Sequence, residues 1–447
     1  MAAERAKGSV NPDLKGTGPS ASGYAPEDQL RGGSSLSAAI SEARLWERHM
    51  ALARHGATAK GGVNRQALSA EDIAARRTMI DWARGLGLAV FGDELGNFFI
   101  RMEGSRPDLA PVLTGSHLDS QPTGGKFDGV YGVLAGFEVL EALRASGRTP
   151  LRPIEVVSWM NEEGSRFAPG MMGSAGFAGQ RGVAEIVTVR DAAQQSVADC
   201  LAALRSALPE VAMRPLATPV HAYIEAHIEQ APVLEEHAVQ IGVVTGIQGK
   251  RTFRVTVTGE ESHAGTTPHR RRRDALLSAT GMVQALERLC FDPLDITRFT
   301  VGMMRVEPNA PSVIPARVVF SIDIRHQSSA RLLELGDAVA ELCASHAGSC
   351  GVKVEELSTA MSLEFPESIR ADIEAAAARL GLTHMRLLSA AGHDARYLND
   401  HCETGMIFIP CLKGVSHHES ESATSADLAA GARVLAEVVW LRANQAG

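Results

Sequence analysis

The sequence predicts an α/β protein of two domains, in which a mixed, largely parallel sheet is interrupted by an inserted α+β unit with an antiparallel sheet. Three observations carry this. The chain has 447 residues, beyond the roughly 250–300 at which a single hydrophobic core usually divides. Short apolar runs alternate with helical ones up to about residue 242 and again after about residue 355, the pattern of a sheet with helices on both faces. Between those points the strands alternate apolar and polar residues, as half-buried antiparallel strands do.

The N-terminal segment comes first. Residues 1–36 are rich in Gly, Ser, Pro and charge and are expected to form a polar, disordered tail. They contain no apolar signal core, and Glu4, Asp13, Glu27 and Asp28 are out of place in a transit peptide. The first part of the larger domain covers 37–245. LWERHMALARHG and DIAARRTMIDWARGLG have helical spacing and close on Gly. AVFGDELGNFFIRM reads as a hairpin turning near Gly96-Asn97. PVLTGS (111–116) and IEVVSW (154–159) are buried strands on either side of a long apolar helix over 129–147. The inserted unit covers 246–355. There RTFRVTVTG sends Phe253, Val255 and Val257 to one side, and a helix, two further strands and a helix ending near His346 come after it. The α/β texture resumes over 356–447 and ends in the helix LAAGARVLAEVVWLRA.

Composition narrows the function. Lys plus Arg is 44 and Asp plus Glu 52, a net charge of −8, which lacks the positive field that nucleic-acid binding needs. No run approaches the roughly 18 apolar residues of a membrane span. Cys200, Cys290, Cys343, Cys350, Cys402 and Cys411 are scattered with no CxxC pair. Free thiols in a reducing, cytoplasmic setting are expected.

Polar residues gather where the strands end. In GSHLDSQPTGGKFDG, His117 and Asp119 are two apart directly after a strand, and Asp128 stands at the mouth of the long helix. Open α/β sheets build their sites at this edge. IEVVSW runs into Asn161-Glu162-Glu163. Adjacent carboxylates at the end of a buried strand need a partner or a metal, and neighbours point apart, so one can ligate while the other serves as general base. His227, Glu229 and Gln230 come after AYIEA; His417, His418 and Glu421 come after GMIFIP. Alone, each reads as a loop or a satisfied core residue. Together, His117, Asp128, Glu163, His227 and His417 form a mixed N/O set suited to zinc, manganese or cobalt. Five ligands exceed one catalytic zinc, so two metals sharing a carboxylate fit better. A nucleophile elbow centred on Ser174 fails because Met172 stands where glycine is needed.

GSHLDSQPTGGKFDGVYGVLAG, NEEGSRFAPGMMGS, AHIEQAPVLE, SHAGTTP, RRDAL, AGHDA and SHHESE occur in this order. From about residue 40 onward the chain resembles the amidase/hydantoinase/carbamoylase family of co-catalytic metallopeptidases. That family includes N-carbamoyl-L-amino acid hydrolases, β-ureidopropionases and allantoate amidohydrolases. The resemblance implies a bimetal catalytic domain with an inserted dimerisation and lid domain, hence a homodimer acting on a small-molecule substrate. It implies that Asp128 bridges two divalent ions, with His117 and His227 on one and Glu163 and His417 on the other. Glu162 would be the general base, and Asp119 would orient His117. His263 would stabilise the oxyanion, supplied by the partner subunit. Gln230 would contact the ureido or amide group, and Arg325 would grip the substrate carboxylate. His393 and Glu421 match family positions without an assigned role. Where the family has a second Asn in PNxxNVIPG, this chain has Ser312, and Asn309 is a partial substitute for it at most. TTPM has become TTPH at His269, followed by Arg270 to Arg273, read as a basic surface; HIEQG has become HIEQA at Ala231. The expected reaction is hydrolysis of an N-carbamoyl amino acid to amino acid, ammonia and carbon dioxide. The alternatives are an allantoate amidohydrolase, a dipeptidase or N-acyl amino acid amidase, or a non-catalytic binding homologue.

Overall fold

Strands Val112–His117 and Ile154–Trp159 are buried along their whole length, which a strand tolerates only inside a sheet covered on both faces. The computed structural model, which describes residues 35–446, pairs them in parallel with Val112 opposite Ile154 and His117 opposite Trp159. They form the middle of a ten-stranded mixed sheet. Ala222–Ile228 and Glu403–Ile409 extend the parallel run on one side. On the other side Phe98–Met102 and Ala89–Gly92 add the expected hairpin, with Gly96 at φ +79° in its turn. Helix Val130–Ser146 is buried on nearly every side and stops at Gly147, whose left-handed backbone (φ +67°) closes the last turn. Helix Ser425–Ala443 packs beside it. Four parallel strands therefore end at one edge, and the loops that leave them meet there.

The second sheet has its own core. Arg317–His326 pairs antiparallel with Gly249–Thr258 along ten residues, and Gly351–Ala360, Arg298–Thr300 and Met304–Glu307 complete five strands. Val255, Val257, Phe320 and Ile322 bury against Met282 and Leu286 of helix Ala275–Cys290 and against Leu335 and Val339 of helix Ser329–Ser345. Strand Gly351–Ala360 carries this sheet past residue 355, where the sequence texture puts the return to the larger domain. A register shift between Glu356 and Ser358 breaks the alternation there. The chain crosses between the sheets twice, and Arg396 holds both crossings. Its Nη2 donates to the Gln248 carbonyl at 2.8 Å and its Nη1 to the Met361 carbonyl at 2.6 Å.

The tail expected over 1–36 falls outside the described residues up to residue 34. Its last residue does not belong to it, because Leu36 opens the short helix Leu36–Ala39 and is buried in the main core. Helix Val197–Ala207 and the parallel pair Ile241–Ile247 and His384–Ser389 are further elements that the sequence pattern did not bring out. Among the described residues no helix is long and apolar enough to cross a membrane.

Candidate metal centre

Asp128 is the hub of the shared strand edge. It stands one residue before Gly129, the N-cap of helix Val130–Ser146, and it is buried. Its Oδ1 lies 3.2 Å from His227 Nε2 and 4.0 Å from His117 Nε2. Its Oδ2 lies 3.2 Å from His417 Nε2, which is itself 3.4 Å from Glu163 Oε2. The ligand atoms of His117, Asp128 and His227 lie within 4.8 Å of one another, and so do those of Asp128, Glu163 and His417. The two groups share only Asp128. A third buried group, Glu225, His227 and His393, has its atoms committed elsewhere. Glu225 accepts from Ser116 Oγ at 2.7 Å, Tyr223 Oη at 3.2 Å and Ala395 N–H at 3.0 Å, and His393 Nε2 pairs with Ser389 Oγ at 2.9 Å.

The histidines are set by main chain. His117 Nδ1 lies 2.9 Å from the Asp119 carbonyl and His227 Nδ1 2.8 Å from the Ile228 carbonyl. Each Nδ1–H donates there, which turns each Nε2 toward Asp128. The carboxylate of Asp119, expected to orient His117, is 3.8 Å from Nδ1. It accepts instead from the N–H groups of Glu162 and Glu163, both at 3.2 Å. Gly129 must be glycine: its φ is +66°, and a Cβ there would meet the His117 ring at 2.2 Å. Glu421 lies behind Asp128. It accepts from the N–H groups of Phe127 and Asp128 at 2.9 and 3.0 Å and from Ser416 Oγ at 3.1 Å.

Charge is crowded. Burial pushes Glu163 up to about 8, with Asp128 adding to it, and Asp119 up to about 7. Burial, then Asp394 and Glu163, hold Glu162 well above the usual carboxylate range. Burial opposes charge on His227, yet the hydrogen bond with Asp128 Oδ1 prevails and raises it to about 9; a separate bond with Asp128 Oδ2 raises His417 to about 9. Nitrogens and mutually repelling carboxylate oxygens, buried except for the exposed His417, are the donor chemistry a hard or borderline cation satisfies.

The sequence profile of "Peptidase family M20/M25/M40" matches residues 113–441. The chain belongs to that family. Within it, the N-carbamoyl-L-amino-acid amidohydrolase of Rhizobium meliloti is 38% identical over 89% of this chain and 95% of its own. The allantoate amidohydrolase of Bacillus subtilis is 33% identical over 87% and 95%. The crystal structure of an amidase of the hydantoinase/carbamoylase family from Burkholderia multivorans superposes with a TM-score of 0.84 at 42% identity, covering 91% of this chain and 99% of that one. These likenesses bear out the family and fold expected from the motifs.

In this M20-family chain the remaining expected residues divide into two sets. Gln230 reaches the centre, donating from Nε2 to Asp128 Oδ2 at 3.0 Å while its buried Oε1 has no partner. Glu162 Oε2 is 3.5 Å from His117 Nε2. His393 stacks edge-on to His227 with ring centroids 4.6 Å apart. The residues of the second sheet do not join this cluster. Arg325 spends its fork on Asp323 at 3.0 and 3.2 Å and donates from Nη1 to the Ala390 carbonyl at 3.2 Å. His263 is exposed and bonds within its own loop. Ser312 and Asn309 are exposed, with Asn309 at φ +59°. Sequence reasoning missed Gln121 and Ser416. Gln121 holds Glu163 through N–H at 3.2 Å and Nε2 at 2.7 Å, and Ser416 Oγ lies 3.0 Å from Asp128 Oδ2. The signal for Ser416 was its place beside His417.

Proposed function

We propose that this chain hydrolyses the linear C–N bond of an N-carbamoyl amino acid, with one water consumed and amino acid, ammonia and carbon dioxide released. The observation that carries the reading is Asp128, whose two oxygens face separate ligand groups in a chain 38% identical to an N-carbamoyl-L-amino-acid amidohydrolase. His117, His227 and Asp128 would hold one divalent ion, and Glu163, His417 and Asp128 a second; zinc, manganese and cobalt fit the donors. Bound there, such ions would supply polarisation of the carbonyl and a lowered pKa for water.

The chain's own residues do the rest. Glu162 accepts a proton from the attacking water and returns it to the leaving nitrogen. Asp119 fixes the Glu162-Glu163 main chain, so the base and its neighbouring ligand keep their separate directions. The free Oε1 of Gln230 accepts from a ureido N–H. Arg325 exchanges Asp323 for the substrate carboxylate, and His263 donates from Nε2 to the oxyanion. Because His263 and Arg325 both belong to the inserted unit, His263 on its short ladder with Val313 and Arg325 on the five-stranded sheet, the reading includes lid closure and a homodimer through that unit. Light scattering on the active enzyme tests it, and an active monomer would rule out a His263 supplied by the partner. Six free cysteines fit a cytoplasmic setting.

A second reading, allantoate hydrolysis, rests on the 33% identity to an allantoate amidohydrolase. The deciding experiment is turnover of N-carbamoyl-α-amino acids, N-carbamoyl-β-alanine, allantoate and N-acyl amino acids after loading with each metal in turn. Cleavage of the N-acyl compound alone would remove the carbamoylase reading.

A further inference from the structure

The loop that carries His263 has little apolar packing. Gly265, Thr266, Pro268, His269, Arg270 and Arg271 are exposed, so hydrogen bonds must set its shape. Its base is a short ladder, Ser262–His263 opposite Val313–Ile314, extended by the Ala264 N–H donating to the Ser312 carbonyl at 3.0 Å. Next, the N–H groups of Gly265 and Thr266 donate to His263 Nδ1 at 2.9 and 3.1 Å. A ring nitrogen that accepts carries no proton, so in the neutral ring the proton is on Nε2.

Arg272 closes the loop from the other side. It is half-buried, and its Nη2 donates to the Ala264 carbonyl at 2.7 Å while its Nε donates to the Thr267 carbonyl at 3.0 Å. The Ala264 carbonyl and the Gly265 N–H are the two ends of one planar peptide unit. Fixing the carbonyl therefore fixes the direction of the N–H that meets His263.

We infer that Arg272 is a positioning residue for the hydrolysis: by clamping the Ala264–Gly265 peptide it holds His263 as an Nε2–H donor. This rests on His263 acting at the oxyanion as proposed above. The two carbonyls are reached by two different nitrogens of one rigid fork, which a lysine ammonium cannot imitate in the same geometry.

The test is a double-mutant cycle on the full chain loaded with manganese, using the N-carbamoyl amino acid it turns over. Loss of an oxyanion donor in His263→Ala is expected to lower kcat about 100-fold. Arg272→Met is expected to lower kcat about tenfold with KM held, and Arg272→Lys to recover little of it. The His263→Ala/Arg272→Met double variant is expected to match His263→Ala within about twofold, because both act through one ring. Arg273→Met, which loses a bond to the Ser349 carbonyl at 3.0 Å, is the control for charge and is expected to leave kcat unchanged. Imidazole ¹⁵N spectra of the metal-free protein give a second readout, with the His263 signal identified by its loss in His263→Ala. Nδ1 is expected to be unprotonated in the parent chain and to share the proton with Nε2 in Arg272→Met. A double variant slowed by the product of the single effects, or an unchanged ring spectrum, would overturn the clamp. A His263→Ala enzyme of full activity would instead overturn the role of His263, and the ring spectrum alone would then decide the clamp.

Discussion

Glu162 and Glu163 are chain neighbours that the fold sends to different surroundings. Both N–H groups donate to Asp119, which pins the main chain between them. Gln121 and His417 then take the Glu163 carboxylate, while that of Glu162 lies beside His117. Removing the proposed base without disturbing the proposed ligand is therefore attainable. Glu162→Gln is expected to lower kcat by about 10²–10⁴-fold with the bound-metal content unchanged by elemental analysis. Full activity would remove Glu162 as the base. Gly129→Ala should fail differently. The Cβ would strike the His117 ring at 2.2 Å on a backbone at φ +66°, so metal content as well as turnover is expected to fall. The gathering of the five expected ligands was legible because each lies at the end of a strand of one layer or in the loop that leaves it. Gln121 was not, since its partner Glu163 lies 42 residues away in the chain and no local pattern marks such a pair; Ser416, 288 residues from Asp128, had only its place beside His417 to mark it.

Helix Glu42–Leu52 shows how an element stores a pH dependence remote from that chemistry. Its apolar stripe places His49 against Phe127 and Tyr131, with ring centroids 5.6 and 6.1 Å apart. His49 Nδ1 donates to the Leu45 carbonyl at 2.9 Å, and its buried Nε2 has no partner. Burial pushes His49 down to about 4. The unfolded chain, with an ordinary histidine near 6.5, then binds the extra proton first, so this residue withdraws stability as pH falls from about 6.5 through 4. The amount is about 3 kcal/mol once both values are passed. His49→Phe is expected to flatten the fall in urea-unfolding free energy between pH 7 and pH 4.5. An unchanged fall would mean the ring is protonated in the folded state. This helix was legible from its spacing, though it stops at Leu52 with Ala53 as its C-cap, short of the Gly56 expected to close it. The end of the second sheet was not: the strand Gly351–Ala360 is bulged and largely exposed, so it lacks the alternation that marks a half-buried strand.

At the scale of the whole molecule, the two sheets bear unequally on the metal. His117, Asp128, Glu163, His227 and His417 all come from chain on either side of the second sheet, which runs from Gly249 to Ala360. That sheet has its own core in Val255, Val257, Phe320 and Val339. Folding the main unit without a cation gathers Asp119, Asp128, Glu162, Glu163 and Glu421 in one buried volume, a repulsion that divalent charge offsets. Metal that binds only the folded state stabilises it by about 2.7 kcal/mol at one hundred times its Kd. Removing it with a chelator is therefore expected to lower the thermal midpoint by several degrees, and manganese or zinc to restore it. Hydrogen exchange should localise the loss. Amides of Val112–His117 and Ala222–Ile228 are expected to exchange faster in the chelated protein, while those of Val255, Val257 and Phe320 keep their protection. The crossings at Gln248 and Met361, both held by Arg396, are where an intermediate effect is expected. Equal loss of protection in both sheets would show that the inserted unit has no stability of its own and folds only as part of the metal-bound whole.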